Sequence, residues 1–150
     1  MNHKCLTMGA ASALMLTMSM TALAAKPEDA IKYRRGVMAA QGWNMGNLAA
    51  MVKGEKPFDK AEFAQRAANL AALSKMAPEG FTVAGSDQGD TKVKPEAFTE
   101  ADKFKGGMEK LATETAKLAQ VAAGGDLAAI KPQFGEVAKL CKGCHDNYRK

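Results

Sequence analysis

Apolar residues fall at helical spacing in four stretches of the chain, each bounded by glycine, proline or a capping residue. In the first, Ile31, Met38, Met45 and Val52 lie seven apart, with Arg34 or Arg35, Gly42, and Leu48 or Ala49 between them. This predicts a helix of about 25 residues. Lys26-Pro27-Glu28-Asp29 opens it, since proline and acids suit a first turn, and Gly54 and Pro57 stop it. Asp59 reads as the next N-cap, with Glu62 as its capping-box partner. The stripe Phe63, Ala67, Leu70, Leu73 and Met76 or Ala77 follows, ended by Pro78 and Gly80.

Phe81 to Lys94 is a polar, glycine-bearing loop without a period, a length that is uncommon in a compact domain and often functional. Lys94-Pro95-Glu96 restarts the helical pattern. Phe104, Leu111 and Leu118, interleaved with Met108, Thr115 and Ala122, predict a third helix that Gly124-Gly125 breaks. Asp126 caps the fourth, whose stripe is the most regular: Leu127, Ile130, Phe134, Val137, Cys141, Cys144, Tyr148. Both cysteines therefore fall on a core-facing seam. Pro132, six past the cap, predicts a kink or a short separate turn. Four amphipathic helices with two short connections and one long one predict an all-α four-helix bundle, crossing at about 20°. Abundant alanine with few Val and Ile favours helix over sheet. The Met and Phe side chains of the stripes are read as core for the most part.

The chain before the first helix has a different character. Lys4 is followed by an apolar, small-residue run from Leu6 to Leu23 and by Ala22-Leu23-Ala24, an A-x-A cleavage site. Residues 1–24 are expected to be a secretory signal peptide, which Cys5 leaves with. Removing 24 of 150 residues leaves 126, one domain over 25–150 with no membrane segment after processing. Lys4 leaves too, so 20 of the 21 Lys and Arg face 16 acids, about +4. That balance is too mild to argue for nucleic acid, and no basic run interleaved with aromatics appears.

The candidate chemistry lies in Cys141-Lys142-Gly143-Cys144-His145. C-x-x-C-H is the attachment pattern of a c-type haem. Thiols three apart share a helix face, and each can add across a haem vinyl group. His145, four on from Cys141, can reach the iron as axial ligand and is the metal-binding candidate. Three other uses remain, each with a weakness. A thioredoxin-like dithiol wants a helix N-terminus and a βαβ context. Structural zinc wants four ligands. A disulfide between residues three apart leaves the adjacent histidine unexplained. Outside the leader His145 is the only histidine, so one subunit offers neither bis-histidine ligation nor a distal histidine of the peroxidase type. The sixth position falls to Met, Lys, water or nothing; Met38, Met45, Met51, Met76 and Met108 are the methionines at hand. Leader and motif together place the chain in the periplasm, one haem c per chain.

Three segments in order carry a resemblance: Asp29-Ala30-Ile31-Lys32-Tyr33-Arg34-Arg35-Gly36-Val37-Met38, then Lys94-Pro95-Glu96, then Cys141 through Arg149. The chain resembles cytochrome c′, the class II c-type cytochromes. The resemblance implies an antiparallel four-helix bundle, paired as a homodimer, with a high-spin five-coordinate iron and His145 proximal. It places Arg149 beside the proximal histidine, Arg34 and Arg35 near the haem propionates, and Met38 over the distal face, where it bars large ligands and admits nitric oxide or carbon monoxide. Related low-spin members use a methionine of the first helix as sixth ligand. Gly42-Trp43-Asn44 and Lys53 through Asp59 look like that subgroup, whereas Gln65-Arg66-Ala67 and Lys94 through Phe98 look like the high-spin one. The implied functions are one-electron transfer and small-gas binding, with Met38 ligation and pure electron transfer as the alternative. An enzymatic role is not expected, because no distal histidine can move protons. Lys139, Lys142, Arg149 and Lys150 crowd the haem-bearing end and predict attraction to acidic redox partner proteins.

Overall fold

A computed structural model describes residues 25–150; the leader expected over 1–24 lies outside the described residues. Five helices occur in it: α1 (Pro27–Lys53), α2 (Lys60–Met76), the single turn α3 (Glu96–Thr99), α4 (Ala101–Gly124) and α5 (Leu127–Tyr148). The four long ones form an all-α antiparallel bundle. Local sequence explains their ends. Pro27 occupies the first turn of α1 with Glu28 and Asp29 beside it. Gly54 ends α1 at φ 78°, a left-handed conformation, with its N–H turned back to Ala50 and Met51. Gly125 does the same for α4 at φ 70°. Asp126 caps α5 by accepting from the Ala128 N–H at 2.9 Å.

Some boundaries differ from the sequence reading. Asp59 accepts from the Glu62 N–H at 2.8 Å, but only half of the capping box forms. The Glu62 carboxylate instead takes Lys56 Nζ at 2.6 Å and Arg66 Nε at 2.7 Å, which pull it below the usual carboxylate range. Ala77–Phe81 follows α2 as a 3-10 turn. The third predicted helix is split at Glu100, which leaves helical geometry at φ −101°, ψ 43°. Its carboxylate there accepts from Tyr148 Oη at 3.0 Å and Lys103 Nζ at 3.0 Å. No separate turn forms at Pro132: α5 runs through it unbroken. Proline forfeits one backbone bond there, while Ile130, Phe134 and Val137 stay buried on one seam.

The core has two clusters. Leu48, Met51, Phe63, Ala67, Leu70, Leu118, Ala122, Ile130, Phe134 and Val137 make the larger. Val37, Ala77, Ala97, Phe104, Met108 and Tyr148 make the smaller. The stripes predicted for the second, third and fourth helices supply most of both. The first stripe is offset. Ala30, Ile31, Arg34, Val37, Asn44, Leu48 and Met51 are the buried residues of α1, while Met38, Met45 and Val52 are only half-buried. Arg34 and Asn44 occupy seam positions as polar residues, so a search for apolar spacing slides one residue along the helix to the methionines.

Candidate functional site

The packed pairs run α1 on α2, α2 on α4, and α4 on α5; α5 and α1, which would close the ring, barely touch. The chemistry sits along that open seam. Cys141 and Cys144 are free, half-buried thiols in the last two turns of α5. Cys141 packs against the larger core cluster, as does Met45; Cys144 packs against the smaller, as does Met38. The thiol pair therefore bridges the two clusters, and the half-buried flank of α1 supplies apolar surface to each.

Burial pushes both thiols above the ordinary cysteine range, and at Cys141 the neighbouring Cys144 adds to it. They also stand at the negative end of a helix dipole, which disfavours a thiolate. Both effects oppose the reactive dithiol of a redox enzyme. In the haem-free chain both thiols should alkylate with iodoacetamide more slowly than free cysteine at about pH 8, and speed up as pH rises. Faster alkylation than free cysteine would restore the dithiol reading. Among the described residues no three or more His, Cys, Asp and Glu come together as a metal site.

His145 lies one turn beyond Cys141 and is exposed by area, yet enough protein surrounds it that desolvation lowers its pKa. The Arg149 charge lowers it further, and Asp146 opposes. Both main effects keep the imidazole neutral, the form that ligates a metal. Arg149 is thus beside His145 electrostatically, and its N–H closes the helix on the His145 carbonyl at 3.1 Å. Lys142 pairs with Asp146 at 2.5 Å.

The two arginines stand elsewhere. Arg34 is 2% exposed and is committed to the long loop. Nη1 donates to the Gly80 carbonyl at 3.1 Å and Ser86 Oγ at 3.0 Å; Nη2 donates to the Ser86 carbonyl and to Thr91 Oγ1 at 2.7 Å. Phe81 and Phe98 lie 5.4 and 5.9 Å from the guanidinium carbon. Nε alone is left buried without a partner. Arg35 is exposed and paired with exposed Asp90. The structure thus sets Met38 and Cys144 on one core cluster and Cys141 on the other, with His145 and Arg149 following at the C-terminal end of α5, and ties Arg34 and Arg35 to the loop. Sequence reasoning missed Ser86 and Thr91, which have no periodic signal. It also missed Asn44, although that residue lies seven from both Val37 and Met51.

The residues fit a covalent haem. Two thiols on one helix face, apolar flanks on both sides of an unclosed seam, and a histidine one turn along whose surroundings favour the neutral form make a donor set for a flat macrocycle. A family model described as cytochrome C′ matches residues 29–149. The chain belongs to the cytochrome c′ family. It is similar to cytochrome c′ of Halomonas halodenitrificans, 44% identical over 131 residues that cover 83% of this chain and 98% of that one. Among solved structures it is similar to cytochrome c prime from Shewanella frigidimarina, with a TM-score of 0.80 at 44% identity over 83% of this chain and 97% of the other. It is also similar to a ferrous variant of cytochrome c prime from Alcaligenes xylosoxidans with bound NO, with a TM-score of 0.77 at 34% identity over 85% and 99% of the two chains. The family is one of covalently bound haem c, and the C-x-x-C-H pattern at the end of α5 is consistent with it.

Proposed function

We propose that this cytochrome c′ binds one haem c through thioethers from Cys141 and Cys144, with His145 as the axial ligand. It acts in the periplasm, after loss of residues 1–24, in one-electron transfer and in binding small gases such as nitric oxide or carbon monoxide. The observation that carries this reading is the bridge of Cys141 and Cys144 between the two core clusters, with His145 one turn along. Bound NO in the Alcaligenes relative supports the gas-binding part. Among the described residues no helix is long and apolar enough to cross a membrane. With His145 as its sole histidine outside the leader the chain is not an enzyme of the peroxidase type.

The iron is high-spin and five-coordinate in this reading. Met38, half-buried against the cluster that Cys144 joins, stands over the distal face as an apolar screen. Its thioether also supports a second reading, a low-spin electron carrier with Met38 as sixth ligand. Optical spectra of the exported protein, ferric and ferrous, before and after nitric oxide, separate the two. A broad, unsplit ferrous band with prompt nitric oxide binding is expected. A split low-spin band with sluggish binding, made prompt by Met38→Ala, would establish Met38 as ligand instead.

The propionates find limited support from the two arginines. Four of Arg34's five N–H donors are taken, so it offers Nε alone. Arg35 is exposed and can exchange Asp90 for a propionate. Redox partners are acidic proteins that meet the cations of the α5 end. Lys139 and Lys142 are paired with Glu136 and Asp146, so exposed Arg149 and Lys150 carry most of the attraction. Electron transfer with such a partner should slow as salt is raised, and a salt-independent rate would count against this face.

The subunits pair as a homodimer through the outer face of α1. Gly36, Ala39, Trp43 and Gly46 share that face at spacings of three and four, and a Cβ at Gly36 or Gly46 would meet nothing within 4 Å. Trp43 is 69% exposed, an uncommon state for a side chain of that size. Sedimentation should give twice the subunit mass for the native chain and the subunit mass for Trp43→Glu.

A further inference from the structure

Arg34 and the C-terminal turn of α5 are joined by an unbroken set of hydrogen bonds through the loop 82–94. Arg34 fixes Ser86 and Thr91. Thr91 Oγ1 also accepts from the Val93 N–H at 3.2 Å, so one hydroxyl links the guanidinium to the next part of the loop. Val93 pairs antiparallel with Arg149 in an isolated β-bridge. On either side of it, Lys94 N–H donates to the Tyr148 carbonyl at 2.9 Å and Lys150 N–H donates to the Lys92 carbonyl at 2.7 Å. Lys94 Nζ reaches the Asp146 carbonyl at 3.0 Å. The last turn of α5 and the two residues after it are therefore stitched to the loop at residues 146, 148, 149 and 150, shortly after His145.

Such a tether answers a physical need. A helix end frays unless its last carbonyls find partners. Here the fraying end bears the histidine, and the α1/α5 seam gives it little support from α1. A buried arginine with four engaged N–H groups and two aromatic neighbours is an expensive way to hold a surface loop. That cost is intelligible if the loop has something to hold.

We propose that Arg34 is a positioning residue for His145: it pegs loop 82–94, and the loop holds the His145 turn of α5 in place. This rests on the reading of His145 as axial ligand, but the tether itself does not. Arg34 acts through the loop and contacts neither thiol nor histidine.

The test compares the full exported protein with Arg34→Met, with Thr91→Val, which removes the shared hydroxyl while leaving Arg34 in place, and with Leu118→Ala. Leu118 lies in the larger cluster away from the loop, so it controls for a general loss of stability. Two quantities are read: hydrogen exchange at the Lys94, Arg149 and Lys150 amides, and the ferrous iron–histidine stretching band. Loss of the four Arg34 bonds in Arg34→Met, and of the two bonds that Thr91 Oγ1 accepts in Thr91→Val, should speed exchange at the three amides by about tenfold or more, relative to other slow amides of the same variant. The stretching band should shift or broaden in both, and keep its position in Leu118→Ala. Should Arg34→Met fail to fold, Thr91→Val decides alone. Unchanged exchange at the three amides would overturn the tether. Faster exchange with an unmoved band would overturn the positioning of His145, since the chain end would then loosen without the ligand. A protein without haem would instead refute the site reading, and the amide exchange would still decide the tether.

Discussion

With Cys141 and Cys144 both replaced by Ala, the haem signal that survives denaturation falls to background. In the proposed attachment each thiol forms one thioether, by addition of S–H across a vinyl double bond, so either single variant keeps one point of attachment and part of the signal. The double variant keeps none. Haem staining after denaturing electrophoresis reads this directly, and full signal in the double variant would refute covalent attachment. The structural consequence is also large. Cys141 packs with the larger core cluster and Cys144 with the smaller, across the one helix pair that does not close. Loss of a haem seated there would remove packing from both clusters, because interiors tolerate few voids larger than water. The haem-free bundle should retain far-UV helical signal, lose near-UV signal and bind hydrophobic dyes. A haem-free chain with native near-UV signal would show that the bundle closes on itself.

Much of this arrangement could be read from the sequence because it is local. C-x-x-C-H is a fixed spacing, and the stripes Phe63-Ala67-Leu70 and Ile130-Phe134-Val137 repeat within a few turns. The first helix misled because its seam carries Arg34 and Asn44. Apolar periodicity therefore chose Met38 and Met45, which flank the candidate haem site and do not fill the core. The break at Glu100 was hidden for another reason. Its carboxylate answers Tyr148, 48 residues away, and no local rule reports that. The loop 82–94 is the extreme case. Its polar, glycine-bearing composition fits a solvated connection, yet Ser86 is fully buried by bonds to an arginine 52 residues earlier. Length alone marked it as unusual. Tertiary hydrogen bonds give it shape, and side-chain pattern carries no trace of them.

Gly80→Ala should be strongly destabilising for so small a change. Gly80 lies in the 3-10 turn after α2, with a conformation any residue can adopt. The difficulty is distance. A Cβ there would stand 2.4 Å from Arg34 Cβ, 3.1 Å from its Cα and 3.3 Å from its backbone nitrogen. These atoms belong to the body of α1 and cannot swing aside, so the turn must move away from the helix. That movement pulls the Gly80 carbonyl from Arg34 Nη1 and shifts Phe81, whose ring packs 4.7 Å from Phe104. Overpacking at such a contact costs about 1–3 kcal/mol, and the upper end is expected here because a buried charge loses a partner too. For a domain of this size the Tm falls by on the order of 10 °C. Gly106→Ala is the matched control. It lies exposed within α4, a Cβ there meets nothing within 4 Å, and alanine should stabilise the helix by about 1 kcal/mol. Thermal melts of the two variants should therefore move in opposite directions. A Gly80→Ala protein as stable as the native one would mean that α1 and the turn do not approach as closely as the Arg34 contacts require.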